Sequence, residues 1–432
     1  MASKTRKKQQ ATQVDQAASQ ANGQALQLQV PSKPIHFEQT FETYPAGAYT
    51  HEELGLSRED LLAIYRNMLL QRRFEERAAQ MYGKQKIGGF LHLYIGEEAV
   101  STGAAWSIKI GHDSVITAYR DHGIALALGM TANECMAELF GKIDGCSRGK
   151  GGSMHFFKAE KKFFGGHGIV GGHVPLGVGI AFAHKYKEDG GVCLTFFGDG
   201  AMGQGTVHEA MNLAALYKLP IIFIIENNQY AMGTAVWRAF ANTEFYRYAA
   251  NYNMPGALVD GMDVFSVMKA LRKYVALARE YQPSVLEVRT YRYRGHSMSD
   301  PAKYRTKEEL EAKKKEDPII RLKSYMLQHG LSTNEELDAI DADVKKRSAG
   351  VRGVRRKESV SAAGVHLRGR LRAAGLSLPG LTLCIPENLT ETIDHGHHAV
   401  SRGHPGRDDR RDGARRARLS HRRRGRTVRR GL

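Results

Sequence analysis

The stretch VCLTFFGDGAMGQGTVHEAMNLAALYKLPIIFIIENN, residues 192–228, decides the fold. Residues 192–197 are a short run of apolar and β-branched side chains, and residues 220–225 repeat that character, so each reads as a strand buried on both faces. Residues 206–217 between them carry apolar positions at helical spacing. Strand, helix and strand in that order make a βαβ unit, which requires a parallel sheet. The fold class is therefore α/β, a mostly parallel sheet with helices on both faces.

The turn leaving the first strand, Gly198-Asp199-Gly200-Ala201-Met202-Gly203, satisfies the dinucleotide pattern G-x-G-x-x-G. Glu226 ends the next strand, where a nicotinamide-binding fold places an acid for the ribose hydroxyls. An NAD-dependent dehydrogenase is thus one reading. Asp199 points to another, because a carboxylate in the glycine turn would repel a pyrophosphate unless a divalent cation lay between them. Magnesium prefers hard oxygen ligands completed by phosphate oxygens, and Asn228 supplies a neutral carbonyl oxygen. Both residues follow neighbouring parallel strands, at the carboxyl edge where open α/β sheets bind ligands. Asn227-Asn228 alone would read as a turn; with the glycine turn upstream it reads as part of a ligand site. Gly200 and Ala201 open the helix, where main-chain N–H groups and the helix field favour a diphosphate.

Outward from this unit, residues 1–34 are rich in Gln, Ala and Ser, carry the basic patch Lys4-Thr5-Arg6-Lys7-Lys8, and read as a disordered arm. A transit peptide competes, but the segment has more Lys than Arg and contains Asp15. A helix is predicted from an N-cap at Ser57, followed by Glu59 and Asp60, to Gly83, with apolar Leu61, Ile64, Tyr65, Met68, Leu69 and Phe74. No apolar run approaches the ~20 residues that span a bilayer, the longest being short segments such as 219–225. Cys135, Cys146, Cys193 and Cys384 form no close pair, which suits a reducing cytoplasm and no thiolate metal site.

The formal charge of +18 is unevenly spread. Residues 348–432 hold one Lys and 19 Arg against 7 acids, whereas residues 1–347 hold 25 Lys and 18 Arg against 38 acids. The body, 35–347, is only mildly basic and reads as one domain. For the arginine-rich tail a shifted reading frame, a solvated tail and a nucleic-acid arm compete, and the confinement of the charge argues against nucleic acid as the body's partner.

Four further segments carry a resemblance: Gly89-Phe90-Leu91-His92-Leu93-Tyr94, Thr117-Ala118-Tyr119-Arg120-Asp121-His122-Gly123, Gly165-Gly166-His167-Gly168-Ile169-Val170 and Tyr291-Arg292-Tyr293-Arg294-Gly295-His296-Ser297-Met298-Ser299-Asp300. With residues 198–200 and 226–228, over roughly residues 50–345, the chain resembles the alpha subunits of heterotetrameric thiamine-diphosphate 2-oxo acid dehydrogenases, the pyruvate enzymes in particular. The resemblance implies a thiamine-diphosphate-binding fold and the cofactors thiamine diphosphate and magnesium. The metal ligands would be Asp199, the Asn228 side chain and the Tyr230 carbonyl. Arg120, able to give a forked hydrogen-bond pair, would hold the diphosphate, with Tyr119 beside it. The main chain at Gly168 and Val170 would face the aminopyrimidine.

His92 and His296 are the candidates for handling protons and negative charge, because imidazole titrates near working pH; by the resemblance His296 would also lie near the diphosphate. His122 and His167 are weaker candidates. The loop 297–300 resembles a segment phosphorylated in mitochondrial relatives. The implied reaction decarboxylates pyruvate and passes the acetyl group to the lipoyl group of a dihydrolipoyl acetyltransferase. The activating glutamate would come from a beta subunit in an α2β2 assembly. Branched-chain 2-oxo acid and acetoin enzymes are the neighbouring alternatives.

Overall fold

The structure, a computed structural model, describes residues 41–349. In chain order the elements are β1 (Phe41–Tyr44), α1 (Arg58–Gly83), α2 (Glu98–Ala105), β2 (Ser114–Ala118), α3 (His122–Ala127), α4 (Ala132–Leu139), β3 (Phe163–His167), α5 (Val174–Lys187), β4 (Cys193–Gly198), α6 (Gly205–Leu216), β5 (Ile221–Asn227), β6 (Tyr230–Ala231), β7 (Thr234–Ala235), α7 (Val236–Ala239), β8 (Gly256–Asp260), α8 (Val264–Arg279), β9 (Ser284–Arg289), α9 (Lys307–Lys314), α10 (Pro318–Gln328) and α11 (Asn334–Ala349).

Seven strands pair in the order β1-β8-β9-β5-β4-β2-β3, every pair parallel, as the βαβ unit requires. Strands β4 and β5 are apolar throughout because both faces are covered. Leu194, Phe196, Ile222 and Ile224 enter one core with Phe74, Tyr94 and Leu271. Cys193, Phe197, Ile221, Phe223 and Ile225 enter the opposite core with Val178, Val207 and Met211 from α5 and α6. The split follows the two-residue period of a strand. Register sets Gly198 opposite Glu226, so Asp199 and Asn228 leave neighbouring strands side by side.

Helix α1 starts where its cap is built: Ser57 Oγ accepts from Asp60 N at 3.1 Å while Asp60 Oδ2 accepts from Ser57 N at 2.9 Å. Its stripe Leu61, Ile64, Tyr65 and Met68 packs on Ile319, Leu322, Leu337 and Ile340 of α10 and α11. The domain end expected after Arg347 falls in the last turn of α11; the arm over 1–34 and the tail beyond that helix lie outside the described residues. One local expectation is corrected. Gly200 and Ala201 do not open α6 but lie in a 3-10 turn, Asp199–Gly203, that precedes it, because the chain must first bend away from β4 before the helix can lie back on the sheet. Among the described residues no helix is long and apolar enough to cross a membrane.

Candidate active site

Five neighbouring strands deliver the site from their carboxyl ends. Tyr119 and Arg120 follow β2, Gly168 and Val170 follow β3, and Asp199, Gly200 and Ala201 follow β4. Asn228 follows β5 and leads into the β6–β7 hairpin with Tyr230; Arg292 and His296 follow β9. His92 and Glu97 arrive from the segment joining α1 to α2. Apart from the weaker candidates His122 and His167, the predicted site residues line two adjoining cavities, of about 240 Å³ and about 530 Å³. Tyr119, Val170, Met232 and His296 form the wall common to both.

The smaller cavity gathers oxygens. Asn228 Nδ2 donates to Glu97 Oε1 at 2.8 Å, which fixes the amide with Oδ1 turned the other way. Arg292 Nη1 donates to that Oδ1 at 3.3 Å and to Tyr230 O at 3.0 Å. The Tyr230 hydroxyl points elsewhere, to Glu309 Oε1 at 2.8 Å, so only its peptide oxygen takes part. Asp199 is 2% exposed and its Oδ2 has no hydrogen-bond partner among the described residues. Burial pushes this carboxyl up to about 7, against the pull of Arg292. One carboxylate, one amide and one peptide group therefore line a single small cavity, the two neutral oxygens already accepting from Arg292. That donor set fits a hard divalent cation such as magnesium.

Arg120 is buried and donates to Leu93 O at 2.6 Å and His296 O at 2.9 Å. The fork that sequence reasoning reserved for phosphate thus also ties together two loops, and the guanidinium's remaining hydrogens are the ones available to a ligand. His92, Tyr119 and His296 form a ring cluster with centroids 4.7, 5.1 and 5.6 Å apart. Burial and the Arg120 charge push His92 down to about 2 and His296 to about 4. The expectation that both titrate near neutrality is therefore revised: in this chain they stand as neutral imidazoles. Each keeps a buried Nδ1 without a hydrogen-bond partner among the described residues.

Glu226 is held by the Tyr94 hydroxyl, and burial followed by the Glu97 charge pushes it up to about 8. A buried carboxyl already engaged by Tyr94 is ill suited to a ribose, which weakens the main support for the nicotinamide reading. Of the weaker candidates, His122 is fully buried behind the site, and His167 lines a separate cavity with Phe164, Leu176 and Lys187. A Cβ at Gly168 would meet only ordinary contacts, so nothing in this chain requires glycine there.

Sequence reasoning gave no role to Arg292, although it stands in a quoted motif, nor to Glu97, Tyr94 and His173. Glu97-Glu98 at a helix start reads as a solvated acidic first turn, and only the fold reveals that both are buried. His173 lines the smaller cavity with its Nε2 bonded to Phe196 O at 2.7 Å.

Residues 66–350 match the model of the family described as Dehydrogenase E1 component. The chain is 55% identical over 291 residues to a pyruvate dehydrogenase E1 component subunit alpha of Rhizobium meliloti, covering 67% of this chain and 83% of that protein. It is 52% identical over 292 residues to the protein of that name in Zymomonas mobilis, covering 67% and 82%. A mitochondrial pyruvate dehydrogenase E1 component subunit alpha-1 of Arabidopsis thaliana is 48% identical over 292 residues, covering 67% and 74%.

Proposed function

This chain belongs to the dehydrogenase E1 component family, and on that premise we propose that it is the alpha subunit of a thiamine-diphosphate-dependent pyruvate dehydrogenase. The enzyme decarboxylates pyruvate and hands the acetyl group to the lipoyl group of a dihydrolipoyl acetyltransferase. The observation that carries the cofactor assignment is Asp199 Oδ2, a buried carboxylate oxygen with no hydrogen-bond partner among the described residues, in the cavity that Asn228 and Tyr230 also line. Asp199, Asn228 Oδ1 and Tyr230 O would hold the magnesium. Arg120 and the main-chain N–H groups of Gly200 and Ala201 would hold the diphosphate, and the main chain at Gly168 and Val170 would face the pyrimidine ring. Bound thiamine diphosphate supplies the carbanion and the electron sink that decarboxylation needs.

The chain's own groups orient and screen. Tyr119 and His296 wall both cavities, and His92 faces the larger one. As neutral rings, His92 and His296 can each donate one hydrogen bond to a developing oxyanion without adding charge. Arg292 ties the 228–232 segment to the loop bearing His296 through Met232 O and Tyr304 Oη, both at 2.9 Å. The activating glutamate is assigned to a beta subunit, in an α2β2 assembly. The free thiols of Cys135, Cys146 and Cys193 support a cytoplasmic setting. Co-purified with its beta subunit, the protein should release carbon dioxide from pyruvate in preference to branched-chain 2-oxo acids. Preference for a branched-chain acid, or full activity of alpha alone, would overturn this reading.

A further inference from the structure

Behind the cavities lies a buried polar chain with no assigned use: Glu75, His122 and Ser153. His122 Nδ1 is 3.0 Å from both carboxylate oxygens of Glu75, and its Nε2 is 3.0 Å from both Ser153 O and Ser153 Oγ. A carbonyl oxygen can only accept, so the contact with Ser153 O places hydrogen on Nε2 as well as on Nδ1. The ring is then an imidazolium. Burial opposes that charge most strongly, but Glu75, Asp121 and the Ser153 carbonyl together hold the ring's ionisation above the usual histidine range.

Both ends of this chain grip the main chain that carries His92. Ser153 Oγ accepts from His92 N at 3.0 Å, and Glu75 Oε1 accepts from Tyr94 N at 2.8 Å. Between them Leu93 O accepts from Arg120. Ser153 is itself anchored, at the end of a glycine-rich loop whose N–H groups at Ser147, Gly149, Gly151 and Gly152 all donate to the fully buried Glu138. The order Ser, His, Glu resembles a nucleophile triad, but Ser153 is 4% exposed and its hydroxyl oxygen already serves His92 N, so it is not placed to attack a substrate.

We propose that Glu75, His122 and Ser153 form a positioning clamp that sets the main chain of His92 and so the angle at which its ring meets His296, Tyr119 and the 2-oxo acid. The inference rests on the reading of His92 as a group facing substrate. A clamp made of an internal ion pair is stiff because every member is satisfied only in one arrangement. Because it acts through His92, its loss should be felt only while His92 is present.

The test is a double-mutant cycle on the heterotetramer saturated with thiamine diphosphate and magnesium. Ser153→Ala should lower kcat about tenfold, because a small misplacement of a catalytic ring costs rate steeply, with cofactor affinity unchanged. Ser153→Thr, which keeps the hydroxyl, should restore most of the rate. In the His92→Ala background the same Ser153→Ala change should alter kcat less than about twofold. Equal losses in both backgrounds, or full activity of Ser153→Ala, would overturn the clamp alone. Wild-type activity of His92→Ala would overturn the reading of His92 and the clamp with it. If Ser153→Ala fails to assemble, Glu75→Gln carries the same cycle with the same outcomes.

Discussion

Asn228 turns its amide nitrogen to Glu97, 2.8 Å away in a buried contact, and thereby presents its amide oxygen beside Tyr230 O. In the proposed metal site the acid would act through the amide and not as a ligand. Glu97→Leu should let the amide rotate and weaken magnesium binding by the heterotetramer roughly tenfold or more, the usual effect of losing a group that orients a metal ligand. Glu97→Gln keeps an acceptor and should fall between. Magnesium titration of cofactor binding reads this, and an unchanged affinity in Glu97→Leu would remove Glu97 from the account.

His296 bears on stability as well as chemistry. Its folded value of about 4 lies below the ordinary 6.5, chiefly through burial and then Arg120. A base depressed in the folded state binds fewer protons than in the unfolded one, so its contribution is complete above about 6.5 and is lost as pH falls toward about 4. His296→Gln, which cannot protonate, should flatten the acid decline of the heterotetramer's melting temperature across that window. Parallel declines in the two proteins would contradict the assignment.

Gly123 sits against Tyr94 so closely that an added Cβ would lie 2.1 Å from its Cδ1. Gly123→Ala must push Tyr94 away from Glu226, an overpacking change that should cost about 1–3 kcal/mol. Urea unfolding of the heterotetramer measures it, and the same variant should lose activity because Tyr94 belongs to the segment that carries His92.

Ser297 is buried, lines the larger cavity and shares a hydrogen bond with Ser299 Oγ at 2.9 Å. Ser297→Glu would bring a carboxylate beside Asp300 and toward an anionic cofactor. Activity at subsaturating thiamine diphosphate should fall, more than in Ser297→Ala. Full activity of Ser297→Glu under that condition would sink the idea.

The parts of this molecule legible in its sequence are those set by local pattern. Residues 192–228 read as two buried strands and their helix because burial on both faces leaves no polar alternation, and Ser57 announced α1 as an N-cap followed by Glu59 and Asp60. Asp199 and Asn228 were legible together because a parallel register needs only strand ends to bring them side by side. What was not legible depends on distant packing. Glu97 and Glu75 carry no sign that they are buried, since their partners Asn228 and His122 lie far along the chain. The depressed ionisation of His92 and His296 likewise comes first from burial and then from Arg120, which reaches the cavity from β2. Gly200 and Ala201 were assigned to the helix because the 3-10 turn before it has no signature distinct from a first helical turn.

The central claim is that Asp199, with Asn228 and Tyr230, holds the metal that binds the cofactor. Carbon dioxide release from pyruvate by the heterotetramer, titrated with magnesium in the wild type and in Asp199→Asn, tests it most directly. The expected result is saturable dependence on magnesium and thiamine diphosphate in the wild type and a loss of at least about 100-fold in Asp199→Asn. A wild-type rate with unchanged metal dependence in Asp199→Asn would contradict the account.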